Sequence, residues 1–478
     1  MDIKAKIVCT VGPACADTET LRQMIAAGMR VARLNLSHGD HQTHAAYLAA
    51  VRQASSETCC SVAVLADLQG PRLRVGNLPG PLELRAGEEV WIANEAQEAG
   101  EIPIDLPRLA EQVEPGHRLL LDEGLIALEV VRKEAGRVLC KVIDGGVLLA
   151  HKGVNVPDVA LDLPAVTSKD RSDLEFILSR EVDYLGLSFV RSANDIRHLR
   201  ALTKQLGRED MPIVAKLEKP QALDCLDEIL EEADGVMVAR GDLGVELPLE
   251  RVPVVQKEII ARANRVAVPV ITATQMLESM IHESRPTRAE TSDVANAIFD
   301  GTDAVMLSGE TAVGAHPVEA VRVMASIVAE AERAVEKRGA WQPGKMESPF
   351  DYANAVGHCA CLAATDLGAR AIVAFTRSGL TARLISKYHP PLPIIALSPD
   401  LRTCRRLPLL WGVTPIRTEA IADTDGMLRQ VDDVLLDSGL VARGDVVIVT
   451  AGLPSVARQP TNMMKVHRVG ESESWQQA

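Results

Sequence analysis

The segment IVAKLEKPQALDCLDEILEEADGVMVARGD, residues 213–242, carries two short apolar runs, IVAKLEK (213–219) and VMVARGD (236–242), with a longer helical pattern between them. Each run is almost continuous in Val, Ile, Leu, Met and Ala, as a strand buried on both faces requires, and each stops in charged residues. The same unit recurs at KIVCTVG (6–12), VARLNLSH (31–38), VAVLADLQG (62–70), YLGLSFVR (184–191), PVITATQ (269–275) and AVMLSGE (304–310), which makes eight. Eight such strands alternating with amphipathic helices predict an α/β fold, a parallel (β/α)8 TIM barrel. Active sites in that architecture lie at the carboxyl ends of the strands. The polar residues fall there: Arg33, Asn35 and Ser37; Asp67; Ser188; Lys216 and Glu218; Arg240 and Asp242; Thr274; Ser308 and Glu310.

The third and fourth runs are far apart, and residues 82–150 between them read as short strands and turns (PLELRAGEEVWIA, HRLLLDEGLIALEVV, RVLCKVIDGG). A small all-β domain inserted after strand three, on the glycine- and proline-marked tethers GPRLRVG and HKGVNVPD, is physically a lid over the barrel mouth. After the eighth helical pattern, WQPGKMESP reads as a linker, and ARAIVAFTRSG, LPIIALSPD, GVTPIRT and GDVVIVTAG alternate with helices in a further α/β domain. The expected boundaries are 1–70 and 156–340 for the barrel, 71–155 for the lid and 345–478 for the C-terminal domain.

A chain of 478 residues that is 47% hydrophobic and 24% charged can bury several cores, which excludes disorder or a small disulfide scaffold as a description of the whole. With 51 Lys plus Arg against 65 Asp plus Glu, the net charge of −14 disfavours nucleic acid or an anionic membrane as partner. The opening MDIKAKIVCTVG has no signal-peptide pattern, and no run approaches the ~20 apolar residues of a membrane helix. Nine cysteines, Cys9, Cys140 and Cys225 in apolar contexts and Cys59 beside Cys60, show no metal-ligand spacing and read as reduced thiols, so a cytoplasmic location is expected.

At the barrel mouth, Glu218 and Asp242 offer oxygen-only ligands, which suit a hard cation such as Mg²⁺. Lys216 shares the face of Glu218 because strand side chains alternate. With Arg33 and Arg74 they would form a cationic nest for a small anion carrying phosphate, in an otherwise acidic chain. By themselves these residues define a metal-dependent enzyme of a phosphorylated or keto acid.

The runs KIVCTVGPA (6–14), GMRVARLNLSHG (28–39), DLQGPRLRVG (67–76), LDEGLIALEV (121–130), KGVNVPDVALDLPAVTSKD (152–170), VMVARGDLGVELP (236–248), ITATQMLESMI (271–281), PTRAETSDVANAIFDGTDAVMLSGETAVGAHPVEAV (286–321) and GDVVIVTAG (444–452) closely resemble the pyruvate kinases. The resemblance implies a barrel, a β-barrel lid and a C-terminal regulatory domain, usually in a homotetramer. It implies transfer of the phosphoryl group of phosphoenolpyruvate to ADP, giving pyruvate and ATP, the last step of glycolysis. Glu218 and Asp242 match the ligands of the divalent ion, Mg²⁺ or Mn²⁺, and Lys216 matches the lysine beside the phosphoryl group. Arg33 and Arg74 match phosphate-holding arginines, and Asn35, His38, Arg74 and Lys152 the nucleotide side. Gly241, Asp242 and Thr274 match the substrate-carboxylate site, and Thr274 with Ser308 the relay that protonates the enolate.

Asn35, Ser37, Asp67 and the Leu68 carbonyl match the family's monovalent-cation cage. Position 72, typically Glu in potassium-requiring members, is Arg72 here, which predicts that K⁺ is not required. TRSGLT at 376–381 (Thr376, Arg377, Ser378, Gly379, Thr381) matches the loop of a sugar-phosphate effector. With only Arg458 as a second basic clamp, a monophosphate is favoured over a bisphosphate. Two rival readings stand beside the kinase: a lyase or aldolase acting without nucleotide, and an inactive metabolite sensor, which would be expected to have lost Lys216, Glu218 or Asp242.

Overall fold

The computed structural model describes residues 3–94, 100–104, 109–134, 136–157, 159, 163–337, 351–421, 423–453 and 459–471. The linker WQPGKMESP and Arg458 lie outside them. Eight parallel strands close a barrel in sequence order: Lys6–Thr10, Met29–Asn35, Ala63–Asp67, Tyr184–Leu187, Ile213–Leu217, Gly235–Ala239, Val270–Ala273 and Ala304–Leu307, the last pairing with the first. Their outward residues pack with the helices into the largest core of the chain.

Strand periodicity explains where the polar residues go. Val8, Val31, Leu65, Val214, Ile271 and Met306 form the barrel's inner core, joined from below by Leu409 of the C-terminal domain. Two residues further along the same faces stand Thr10, Arg33, Asp67, Lys216, Ala273 and Ser308. Except at Ala273, which still belongs to the inner core, the barrel therefore turns from apolar to polar or charged within one step of the pleat.

The described strands of the lid form a six-stranded sheet and a two-stranded ladder around one core. Its two tethers are themselves paired: the Val75 amide donates to the Lys152 carbonyl at 2.8 Å, His151 to Val75 at 2.9 Å, and Val154 to Leu73 at 3.0 Å. The C-terminal sheet has strand order Val413–Arg417, Ile394–Ser398, Ala371–Phe375, Val446–Ala451 and Met463–Arg468. That last, antiparallel edge strand was not expected from the sequence. Among the described residues no helix is long and apolar enough to cross a membrane, and all nine cysteines are free thiols.

Candidate active site

Strands two and three pair so that Asn35 faces Asp67 and Arg33 faces Leu65. Arg33 reaches across to Asp67: Nε and Nη2 lie 2.7 and 2.6 Å from Oδ2, while Nη1 donates to Thr10 Oγ1 at 3.0 Å. Lys216 Nζ lies 3.4 Å from the same Oδ2, 2.9 Å from Glu218 Oε1 and 2.8 Å from Ser188 Oγ. All of these side chains are buried.

Burial alone would strip these charges, but each offsets another. It opposes the Lys216 ammonium, yet Asp67 and Glu218 outweigh it and raise the lysine above its ordinary pKa. The same burial opposes the Asp67 carboxylate, and Lys216 and Arg33 prevail to lower it. Glu218 moves the other way: burial, reinforced by the nearby Asp242 charge, raises its carboxyl despite Lys216. The Glu218 and Asp242 carboxylates are near enough for the charge of one to raise the other, and together they form an incomplete oxygen donor set. A hard divalent ion that takes water and substrate oxygens fits it.

The neighbouring loops are shaped for this site. Phe189 adopts φ 56°, which costs about 1–3 kcal/mol for a non-glycine residue, and its amide donates to Glu218 Oε2 at 2.8 Å. Thr274 adopts φ 69°, and its Oγ1 accepts from the Gly241 amide at 2.7 Å and donates to the Ala273 carbonyl at 2.6 Å. Arg240 braces that loop, donating to the Thr274 carbonyl at 2.8 Å and pairing with Asp293 at 2.6 Å. The Ser308 amide donates to buried Glu310 at 2.6 Å, and the other oxygen of Glu310 accepts from the Leu277 amide at 3.1 Å, tying the ends of strands seven and eight.

In the cage, Asp67 Oδ1 is buried and has no hydrogen-bond partner among the described residues. Strand four passes so close that a Cβ at Gly186 would meet that oxygen at 2.6 Å. Asn35 Oδ1 accepts from the Ser37 amide at 3.2 Å, and the Leu68 carbonyl from Ser188 Oγ at 2.8 Å. An orphaned carboxylate oxygen on the strand beside Asn35 fits a monovalent cation. Arg72 is not the cation seen at Asp67: that place belongs to Arg33 and Lys216, while Arg72 lies past the strand end and pairs loosely, at 3.8 Å, with Glu123 of the lid.

The remaining expected residues are more dispersed. Lys152 pairs with Asp122 at 2.8 Å, and Arg74 donates to the His151 carbonyl at 2.9 Å, so both engage the lid and its tether. His38 is exposed, its carbonyl accepting from His44 Nε2 at 2.8 Å. In the C-terminal domain, the Thr376 hydroxyl caps the Gly379 amide at 2.9 Å and Thr381 bonds Thr461 at 2.8 Å. Both threonines are buried, which leaves Arg377 and Ser378 exposed on a cavity of about 660 Å³. Sequence reasoning assigned no role to Phe189, Asp293 or Glu310; only Glu310, at a strand end, gave a signal.

A TIM barrel with a buried lysine between carboxylates at its mouth, a lid on paired tethers and an α/β domain behind it has the form of an enzyme acting on a small phosphorylated or keto acid, and its relatives make it a phosphotransferase. Residues 3–321 match the family description "Pyruvate kinase, barrel domain" and residues 354–467 "Pyruvate kinase, alpha/beta domain". The chain belongs to the pyruvate kinase family. It is 46% identical over 476 residues to the pyruvate kinase of Geobacillus stearothermophilus, covering 98% of this chain and 81% of that one. It is 44% identical to that of Mycobacterium tuberculosis, covering 99% and 100%. A crystal structure of a pyruvate kinase from Cryptosporidium parvum superposes with a TM-score of 0.92 at 36% identity, covering 98% of this chain and 96% of the other. Family membership implies a divalent metal cofactor.

Proposed function

We propose that this chain transfers the phosphoryl group of phosphoenolpyruvate to ADP at the mouth of its barrel. The observation that carries the reading is the Lys216 ammonium, kept charged in a buried place by Asp67 and Glu218. In the reaction the bond from phosphorus to the enol oxygen breaks and one to the terminal oxygen of ADP forms, with charge gathering on the bridging and equatorial oxygens. Lys216 and Arg33 offset that charge without moving, since both are already fixed by Asp67. The enolate left behind takes a proton at carbon; Thr274 and Ser308, with ordered water, are the proposed relay, and the Gly241 backbone beside Thr274 holds the substrate carboxylate. Mg²⁺ or Mn²⁺ held by Glu218 and Asp242 would supply Lewis-acid charge to substrate oxygens. Asn35, His38, Arg74 and Lys152 are the proposed nucleotide residues, Lys152 delivered by closure of the lid.

Asn35, Ser37, Asp67 and Leu68 would hold a monovalent cation, which we propose is dispensable because Arg72 supplies charge from the tether. We further propose activation by a sugar phosphate in the cavity beside Arg377 and Ser378, domain limits near those read from the sequence, a cytoplasmic location and a homotetramer. Exposed Leu249 and Val254 on the barrel, and Met464 and Val466 on the C-terminal edge strand, support the last of these. Pyruvate release from phosphoenolpyruvate, assayed with and without ADP, tests the central reading. Release at equal rate without ADP would mean that water takes the phosphoryl group and would overturn the kinase reading.

A further inference from the structure

We propose that Glu246 is a positioning residue that sets the angle of the lid on the barrel, a reading that deepens the phosphotransfer function above. Glu246 ends the helix Arg240–Glu246, whose first turn carries Asp242. Its side chain is 1% exposed. Oε1 pairs with Lys219, the residue directly after Glu218, and also accepts from Asn155 Nδ2 at 2.6 Å. Asn155 belongs to the lid strand Val154–Asn155, just past Lys152. One carboxylate oxygen thus joins the end of strand five, the helix after strand six and the lid.

A second touch reinforces it. The lid turn Asp122, Glu123, Gly124 takes three consecutive left-handed conformations, with φ 51°, 58° and 85°. A Cβ at Gly124 would sit 3.6 Å from Val245 Cγ1, next to Glu246. The same turn holds Lys152 through Asp122 at 2.8 Å. The place where the lid rests on the barrel is therefore linked by a few bonds to the lysine proposed to reach the nucleotide.

Glu246 Oε2 is buried and has no partner among the described residues. A desolvated carboxylate oxygen without a donor opposes the docked state, whereas the charge-assisted Asn155 bond favours it. Swinging the lid away admits water to both oxygens, which offsets the loss of that bond. The joint is consequently reversible, firm enough to choose an angle and weak enough to release it.

Asn155→Ala removes the lid's donor and leaves the Lys219 pair intact. Asn155→Asp opposes two carboxylates, and adding Glu246→Gln restores a donor and an acceptor in exchanged places. The expected result is amide exchange about tenfold faster at Val75 and Val154 of the tethers in both single variants, since a hydrogen bond to a charged group is worth about that much or more. KM for ADP should rise about tenfold while KM for phosphoenolpyruvate and Tm stay unchanged, and the exchanged pair should recover both readouts. Unchanged exchange and unchanged KM for ADP in both single variants would overturn the proposal, as would a fall in kcat and Tm alone, the pattern of a merely structural residue. The exchange measurement needs no turnover. Failure of wild type to transfer a phosphoryl group would strike the function, while exchange at the tethers still decides the latch.

Discussion

Lys216 and Glu218 stand on one face at the end of strand five and meet at 2.9 Å, Nζ to Oε1, while the Phe189 amide secures the other oxygen of Glu218. The cation proposed to offset charge in flight and the carboxylate proposed to hold the metal are thus set by one another. Altering either one removes a charge partner from the other, although the Phe189 amide still holds Glu218.

Lys216→Met is expected to fold, because Arg33 still satisfies Asp67 and Phe189 still satisfies Glu218, and to lose about 10²- to 10³-fold in kcat. Steady-state rates beside a circular-dichroism spectrum check this. Turnover near that of wild type would remove Lys216 from the chemistry.

Glu218→Gln and Asp242→Asn each withdraw one charge from the oxygen donor set. The Mg²⁺ concentration for half-maximal activity should rise at least about tenfold in either, as loss of one charge-assisted contact predicts. Unaltered metal titrations in both would place the divalent site elsewhere.

Asp67 is held below its ordinary value of 3.8: burial opposes its charge, but Lys216 and Arg33 outweigh burial. A depressed carboxylate contributes stability that is full above the unfolded value and is lost as pH falls through the folded one. Asp67→Asn should therefore flatten the dependence of stability on pH at and below about 3.8. Denaturant unfolding across an acid series of both proteins measures the slopes, and equal slopes would contradict the assignment.

Because Thr376 already caps its own turn, replacing it would confound binding with local unfolding. Arg377→Ala with Ser378→Ala is the cleaner probe of the effector cavity. Basal kinetics should persist while activation by a sugar monophosphate disappears; a wild type indifferent to sugar phosphates would end the proposal.

Among the described residues the one ion pair of Arg72 is a loose 3.8 Å contact with an exposed glutamate, an interaction too weak to commit its guanidinium to the lid. Wild type should work in tetramethylammonium salts with little gain from KCl at constant ionic strength, and Arg72→Glu should acquire KCl dependence. Strong KCl activation of wild type would refute this.

All eight barrel strands were legible because a strand buried on both faces leaves a continuous apolar run that ends where charge begins. Their limits were read too long: PVITATQ ends as a strand at Ala273 because Thr274 turns to φ 69°. Lys216 and Glu218 could be placed on one face by alternation alone. Phe189, Asn155 and Glu246 could not be given their contacts, since a backbone amide, a lid amide and a distant carboxylate meet only after closure of the barrel. The edge strand Met463–Arg468 escaped because Lys465, His467 and Arg468 interrupt its apolar pattern.

Leu409 belongs to the C-terminal domain by sequence and to the barrel by burial, for it lies 1% exposed among Val8, Leu65 and Met306. Burying that side chain contributes about 2 kcal/mol by taking its apolar surface out of water. Cutting the chain in the linker would leave the floor of the barrel unsealed, and the catalytic half could not be lifted out as an autonomous module. Heat should therefore melt barrel and C-terminal domain together, and two separate calorimetric transitions would show that Leu409 does not couple them.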